Sequence, residues 1–425
     1  MPPGFHRLIA AQFASALADN AVLIVTIALL QQQGSAPWLA PLLKFGFTLS
    51  YVLLAPVVGP LADAFPKARL MAVMNGVKVL GVLALLGGLH PLLAFTVIGF
   101  GAAAYAPAKY GLITEMVPAE QLVRANGWIE VSVVCAALLG TVLGGALVSP
   151  WLLAILTQAA AAVNGHAAAA LGQQLPAGAL SGSLLLLLGV YATAALLNAG
   201  LPDSGARYPT SAVHPLWLTR EFLDANRTLW RDPGGGLSLA VTTIFWGVGA
   251  TLQFAVLGWA AQVLLLPLEQ AAYLQGAVAL GVIAGAAAAA RWVTLSGARR
   301  MLPLGVLLGA MIAGAAFTPS LAWALPLLVG LGAVGGLLVV PLNALLQHRG
   351  HQLLSAGRSI AVQGFNENAS VLGMLAVYAG LLAAEVPIVA LMCGFGLCIA
   401  LAMALLCWQQ WRPVQGCEGK AAARG

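Results

Sequence analysis

Charged residues are scarce in this chain of 425 residues. They make up 8% of the total, whereas soluble domains carry about 25%. Hydrophobic residues account for 61%, and apolar runs of about 20 residues recur along the whole sequence. The polar surface that a sizeable soluble domain needs is therefore missing. Both observations indicate an integral membrane protein with a single helical domain.

Several signatures of other classes are also missing. The five cysteines show neither CxxC nor a pairing with histidine at metal spacing, so we assign them to packing and expect no metal or other cofactor. No GxxxxGK[ST] phosphate loop is present, which argues against ATP-driven pumping. No histidine is followed five residues later by aspartate, the pattern wanted for a glycerolipid acyltransferase, so a membrane enzyme is not expected. The N-terminus MPPGFHR runs into the first apolar segment without a recognisable cleavage site.

The apolar runs predict twelve membrane-spanning helices and an all-α fold. Six are expected in the first half, at Leu8–Leu30, Leu39–Ala62, Leu70–Leu89, Leu92–Met116, Leu122–Val148 and Leu180–Leu201. Six more are expected in the second half, at Leu237–Leu264, Ala271–Leu295, Leu302–Phe317, Leu321–Leu346, Ser359–Leu382 and Ile388–Trp408. The predicted domains are a first half at 1–201, a linker at 202–233, a second half at 234–412 and a tail at 413–425.

The net charge of +6 reports topology rather than nucleic-acid binding. With a cytoplasmic N-terminus, every loop on one side carries Lys or Arg and the opposite loops carry none. The positive-inside rule then places both termini in the cytoplasm. The residues on the cytoplasmic side are Lys67, Arg69, Arg124, Arg207, Arg220, Arg227, Arg231, Arg299, Arg300, Arg349 and Arg412.

Two segments leave alternatives open. The Ala-rich stretch 151–179 resembles a thirteenth span, but one more crossing would invert the charge bias downstream, so we interpret it as a periplasmic insertion, helical or re-entrant. In the linker, Leu218, Phe222, Ala225 and Leu229 share one helical face. This amphipathic helix is expected either along the inner membrane surface or packed on the helical bundle.

A faint internal repeat appears at a constant offset of 234 residues. It pairs Pro107 with Pro341 and Arg124 with Arg358, and the chain between proline and arginine has the same length in both halves. Two six-helix halves of like topology are the arrangement of major facilitator transporters, whose binding site lies near mid-membrane between the halves.

The loop after the second span reads GPLADAFPKAR over residues 59–69. It resembles the inner-loop signature of major facilitators, with a glycine, an aspartate four residues later and a basic pair. The glycine permits close helix approach, and the charges can form a network that breaks when the inner gate opens. The predicted cytoplasmic gate comprises Gly59, Asp63, Lys67, Arg69, Arg124 and Arg358.

Polar side chains inside the spans predict a polar interior. An ionised group facing hydrocarbon costs at least about 2.5 to 3.5 kcal/mol, so these groups are expected to line a substrate path. Asp19 can pair structurally with Lys109 or Lys78, bind a cation or accept an ammonium group from substrate. Lys78 is as easily explained by an ion pair within the bundle. The candidate cavity residues are Asp19, Asn20, Lys78, Lys109, Glu130, Gln253, Asn343, Glu367 and Asn368.

Seven sequence blocks together resemble the bacterial lysophospholipid transporter (LplT) family. The blocks are QFASALADNAVL, LLAPVVGPLAD, GAAAYAPAKYG, VRANGWIE, FWGVGATLQF, VVPLNALLQHRG and AGRSIAVQGFNEN. The resemblance implies inward flipping of lysophospholipids, chiefly lysophosphatidylethanolamine, across the bacterial inner membrane. It also implies an acyltransferase/acyl carrier protein synthetase as functional partner, which restores the missing chain. A monomer surrounded by membrane lipids is expected.

The residues agree with such a substrate, because a head group with a phosphate and an ammonium needs a cation and anions beside apolar walls. One departure concerns Gln253, where the family pattern usually has arginine, so the cavity has one fewer cation here. Two rival functions remain open. A cation-coupled drug or metabolite carrier would use Asp19 and Glu130 as proton sites, and a non-transporting scaffold for the acyltransferase would tolerate neutralisation of Asp19 and Lys109.

Overall fold

The computed structural model describes residues 2, 4–35, 39–156, 158, 180–208, 214–266, 268–318 and 320–411. These residues are almost entirely helical, and the described ranges contain no strand. The helices are α1 (Phe5–Gln32), α2 (Leu39–Ala64), α3 (Lys67–Leu86), α4 (Pro91–Met116), α5 (Leu122–Leu147), α6 (Ser181–Ala199), α7 (Pro215–Arg231), α8 (Gly235–Gln262), α9 (Leu268–Trp292), α10 (Pro303–Ala315), α11 (Leu321–Leu353), α12 (Ala356–Ala383) and α13 (Ile388–Trp411).

Each of these thirteen helices except α7 corresponds to a predicted span. Eleven segments are long and apolar enough to cross a membrane. The remaining predicted span, α12, is not among these eleven; it has 28 residues but carries the polar side chains of Gln363, Asn366, Glu367 and Asn368. The prediction missed a short 3-10 turn at Leu295–Met301 that precedes α10. Pro303 is at the start of α10, where its missing N–H leaves no hydrogen bond unmade.

Helices α1–α6 form one half of the bundle and α8–α13 the other. Within the first half, α3 packs on α4 and α1 on α5; within the second, α9 packs on α11 and α10 on α13. Close approach of α9 and α11 depends on glycine, because a Cβ on Gly332 would lie 2.0 Å from the carbonyl oxygen of Val278. Pro107 lies inside α4 and its repeat partner Pro341 inside α11, the fourth helix of each half.

The two halves contact each other mainly through α2 with α12 and α5 with α9. The close contacts lie at the end of the bundle where α7 connects the halves, which we call the linker end. Gly59 on α2 abuts the backbone of Gly357 and Arg358 on α12, and Gly127 on α5 abuts Ala290 on α9. The bundle is therefore closed at its linker end.

Of the two alternatives for the linker helix, the structure has α7 packed on the bundle. Phe222, Ala225 and Leu229 are buried against Ala55 of α2 and Val362 of α12. The opposite face of α7 remains exposed.

Most of the stretch 151–179, interpreted as an insertion, lies outside the described residues, as does the tail from residue 412. The chain is helical at 150–156, and Leu152, Leu153 and Leu156 pack on the core of the first half.

Candidate functional site

Asp19 and Lys78 form a buried ion pair inside the first half. The Lys78 Nζ lies 2.7 Å from Asp19 Oδ2 and donates a second hydrogen bond of 2.9 Å to Ser15 Oγ. The hydroxyl of Tyr191 donates to Asp19 Oδ1 over 2.7 Å. Lys78 also lies over the rings of Tyr105 and Tyr191, 5.2 and 5.6 Å from their centres. Both oxygens of Asp19 thus already have partners within the protein. This is the arrangement expected if Asp19 forms a structural ion pair with Lys78, one of the alternatives given above.

Lys109 on α4 is in a different situation. It is 8% exposed, and among the described residues its ammonium has neither a hydrogen-bond acceptor nor an ion-pair partner. The Nζ lies 4.2 Å from the centre of the Tyr110 ring, and the charge of Glu130 on α5 acts on it from beyond ion-pair distance. Lys109 is therefore a buried cation available to a ligand.

Glu130 of the first half faces this lysine, and Glu367 of the second half lies within reach of the Glu130 charge. Glu130 on α5 is 5% exposed and has no ion-pair partner in the described part of the chain. Its charge acts on Lys109 and on Glu367 of α12. The Oε1 of Glu367 accepts a hydrogen bond of 2.8 Å from Gln363, which also donates to Asn343 Oδ1 over 2.9 Å. Lys109, Glu130, Glu367 and Asn343 are thus connected between the halves by charge interactions and by the hydrogen bonds of Gln363.

Two tyrosines complete this charged cluster, and sequence reasoning missed both. The charges of Glu130 and Glu367 reach Tyr110, as does the hydroxyl of Tyr51. Tyr51 lies on α2 and contacts Gly364 of α12. Tyr110 follows Lys109 directly, so its proximity was a usable signal; Tyr51 stands alone in an apolar run and gave none.

Three candidate residues point elsewhere. Asn20 and Asn368 donate to the carbonyl oxygens of Ala16 and Gly364, four residues earlier in their own helices. Gln253 is exposed, and its carbonyl oxygen accepts a hydrogen bond from the side chain of Gln275 on α9. The structure does not bring Gln253 to Lys109.

Gln253 instead lies at an apolar cavity of about 100 Å³ within the second half. The walls come from α8, α9, α10 and α11. They comprise Phe245, Val248, Leu252, Val256, Val278, Val282, Leu308, Ile312, Leu331 and three glycines, with Gln253 and Gln275 the polar members. On α8, Phe245, Gly249 and Gln253 follow Thr242 at helical spacing, and Thr242 contacts Glu367. One face of α8 therefore leads from the charged cluster to the apolar cavity.

At the linker end, Asp63 of α2 holds the N-terminus of α12. Its Oδ1 accepts a hydrogen bond of 2.9 Å from the backbone N–H of Gly357, and its Oδ2 accepts one from the hydroxyl of Ser355, the residue that caps α12. A carboxylate at a helix N-terminus is stabilised by the unpaired N–H groups and the helix dipole. The Nε of Arg358 lies 4.0 Å from Asp63. Gly59, Asp63 and Arg358 thus meet across the two halves.

The three other predicted gate residues differ in their surroundings. Lys67 is fully buried and pairs with Glu115 at the end of α4, 2.6 Å away. The ring of Tyr208 in the linker covers this pair, 5.3 Å from Lys67 Nζ. Arg69 and Arg124 are exposed, and neither has an ion-pair partner among the described residues. The contact between the halves does not include these two arginines.

Asn126 and Gln347 form a second contact between the halves that sequence reasoning missed. Each side-chain amide donates to the other over 2.8 Å, and both residues are buried. They are 221 residues apart on α5 and α11. Other amides inside the spans were among the candidates, but an amide carries no charge that would identify its partner, so the sequence did not indicate that Asn126 and Gln347 pair.

Comparison with known proteins agrees with this architecture. The family model described as Major Facilitator Superfamily matches residues 8–374. The chain belongs to the major facilitator superfamily. Within this superfamily it is 42% identical over 384 residues to "Lysophospholipid transporter LplT" of Yersinia pestis (strain Pestoides F), covering 90% of this chain and 88% of the relative. The resemblance to the LplT family is thereby confirmed.

Solved major facilitator structures share the fold at low identity. The Escherichia coli fucose:proton symporter FucP is 13% identical with a TM-score of 0.72, over 95% of this chain and 98% of that one. The human organic anion transporter MFSD10 is 15% identical with a TM-score of 0.70, over 95% and 100%. The predicted all-α major facilitator fold is confirmed.

Proposed function

We propose that this protein carries lysophospholipids, chiefly lysophosphatidylethanolamine, across the bacterial inner membrane. The observation that carries the proposal is the Lys109 ammonium, which has no ion-pair partner in the described ranges, near Glu130, with Glu367 in turn near Glu130. A head group with one phosphate and one ammonium offers the opposite charge to each. Lys109 would receive the phosphate, and the two carboxylates would receive the amine. The 42% identity to proteins named LplT supports the same substrate class.

The apolar cavity of the second half supports a substrate with a single acyl chain. Its walls are aliphatic apart from Phe245, Gln253 and Gln275, and the face of α8 connects it to Glu367. A zwitterionic head group at the charged cluster would leave its tail directed along that face. A small polar metabolite would leave this cavity unused.

The direction of transport rests on the orientation of the bundle. Basic loops at the linker end support a cytoplasmic location for that end and for both termini. With the linker end closed by Asp63 and by the Asn126–Gln347 pair, the cavity would accept lipid from the outer leaflet. Rocking of the two halves would then release it inward. An acyltransferase/acyl carrier protein synthetase in the cytoplasm would consume the product, with the transporter acting as a monomer.

Uptake into proteoliposomes tests the proposal. Purified protein is reconstituted, labelled lysophosphatidylethanolamine is added outside, and the protected fraction is followed beside a diacyl control. Wild type should move only the single-chain lipid. Lys109→Ala should slow uptake about 10- to 100-fold, because a hydrogen bond to a charged group contributes about 1.5 to 3 kcal/mol. Lys44→Ala removes an exposed lysine on α2 and serves as the matched control.

The same experiment separates the rival functions. If neither lipid moves faster than in protein-free vesicles, lysolipid transport is refuted. A pH-dependent uptake of water-soluble solutes would then favour the cation-coupled carrier. If Lys109→Ala takes up lysolipid as fast as wild type, Lys109 is not part of the substrate site, although lysolipid transport itself is not refuted.

A further inference from the structure

The linker helix α7 lies beside the membrane-spanning helices rather than beneath them. Its buried face contacts Ala55 of α2, and Phe222 stacks edge-on against Phe365 of α12 at 5.2 Å. Ala55 is nine residues from the end of α2 and Phe365 nine residues from the start of α12. At 1.5 Å per residue, both contacts lie about 13 Å inside the helix ends. The opposite face of α7 is therefore presented to the leaflet at the linker end.

That opposite face combines apolar and basic side chains. Leu216, Trp217 and Leu223 are 74%, 62% and 55% exposed. Interleaved with them on the helical wheel are three exposed arginines: Arg220, Arg227 and Arg231. The acidic residue on this face, Asp224, lies 4.0 Å from Arg227, with both about two-thirds exposed, a geometry that contributes little. The face keeps a net positive charge.

Three polar contacts connect α7 to the gate helix α12. Glu221 forms an ion pair with Arg358 at 2.7 Å, and this arginine also lies near Asp63. Asn366 of α12 accepts from the Trp230 ring nitrogen at 3.1 Å and donates to Asn226 at 2.8 Å. Any force on α7 is thus transmitted to the helix whose N-terminus closes the linker end.

We infer that the exposed face of α7 binds the head groups of anionic phospholipids in the leaflet at the linker end. Arginines supply positive charge for lipid phosphates, and Trp217 with the two leucines enters the boundary between head groups and acyl chains. The lipid-bound helix covers the seam between α2 and α12 and holds Glu221 against Arg358. Leaflet charge thereby favours the closed linker end.

Hydrogen exchange and lipid retention test this inference without any transport substrate, so their outcome is independent of the proposed function. The protein is placed in nanodiscs of phosphatidylcholine with or without phosphatidylglycerol at roughly a third of the lipid, a fraction that gives a strongly anionic surface. We expect the amides of α7 to exchange at least about tenfold more slowly with phosphatidylglycerol, since each basic residue near an anionic surface contributes roughly fivefold. Native mass spectrometry should show preferential retention of phosphatidylglycerol.

Two triple variants decide the assignment. Substitution of Arg220, Arg227 and Arg231 by Gln should abolish both effects. The matched control replaces Arg69, Arg291 and Arg300, which are exposed and lie off α7. It removes the same charge and should preserve both effects. The inference is overturned if α7 exchanges equally with and without phosphatidylglycerol. It is also overturned if both variants lose phosphatidylglycerol alike, or if protection appears only when another protein is added.

Discussion

Replacing Asp19 by Asn leaves the Lys78 ammonium, which is 1% exposed, without its carboxylate partner. Removing one member of a buried ion pair costs about 3 to 5 kcal/mol, because the remaining charge stays desolvated. Two features reduce the loss here. The introduced amide oxygen can still accept from Tyr191, and Lys78 keeps its hydrogen bond to Ser15. We therefore expect the variant to lose about 2 to 3 kcal/mol of unfolding free energy.

A double-mutant cycle tests the reasoning. Lys78→Met removes the stranded cation, so the Asp19→Asn/Lys78→Met variant should recover to within about 1 kcal/mol of wild type. Unfolding is followed in mixed detergent with increasing dodecyl sulfate, and lysolipid uptake is measured on the same preparations. We expect uptake to return with stability, because both oxygens of Asp19 are engaged within the protein.

Two results would refute this account. A loss below about 0.5 kcal/mol for Asp19→Asn would show that Lys78 does not depend on the carboxylate. A double variant with recovered stability but no uptake would make Asp19 a substrate ligand instead. The cycle therefore separates the structural and the binding alternatives that the sequence left open.

Contacts between and within the halves lead to three further predictions. Asn126→Ala leaves the Gln347 amide without its partner, which should destabilise the closed linker end by about 1 to 3 kcal/mol. A cysteine introduced in the cavity should then be labelled faster by a reagent added at the linker side. Unchanged labelling would contradict this gating role. Val278→Phe should fill the apolar cavity and slow uptake of long-chain lysolipids about 5- to 100-fold while sparing short chains, whereas an equal loss for all chain lengths would count against a tail site. The Arg349 guanidinium holds the pKa of Asp232, between α7 and α8, below its ordinary value of about 3.9. The resulting stabilisation is present above that value and is lost as the pH falls through the lower folded-state pKa. Asp232→Asn should therefore flatten the acid limb of the stability curve, and an identical acid limb in both proteins would refute this.

The membrane spans are predictable because their signal is local. An apolar run of about 20 residues identifies a membrane-crossing helix whichever helices it packs against. Even α12, whose polar face sets it apart from a uniformly apolar helix, is recognisable from the apolar residues around Glu367. Exact starts are less accessible: α10 begins at Pro303 after a 3-10 turn, and the predicted span begins one residue earlier, at Leu302.

Partners of buried charges are not predictable in this way, because they depend on helix rotation and neighbour choice. Lys78 and Lys109 look alike in sequence, since each is a lone lysine in an apolar span. Lys78 faces α1 and finds Asp19, while Lys109 faces the cavity and has no ion-pair partner in the described ranges. The same reasoning applies to Asn20, which satisfies its own helix rather than the cavity.

The repeat offset of 234 residues also pairs Lys109 with Asn343, and these two positions show how the halves diverge. Asn343 is neutral and is held by Gln363, whereas Lys109 keeps an unpaired charge. Lys109 and Glu130 both belong to the first half, so a rigid rocking of the halves leaves their separation unchanged. Glu367 belongs to the second half and moves relative to both. Under the proposed function, an ammonium bound between Glu130 and Glu367 would lose one partner when the halves part, whereas a phosphate on Lys109 would keep its own. The proposed site would thus weaken its hold on one end of a zwitterion in the same motion that exposes the zwitterion for release.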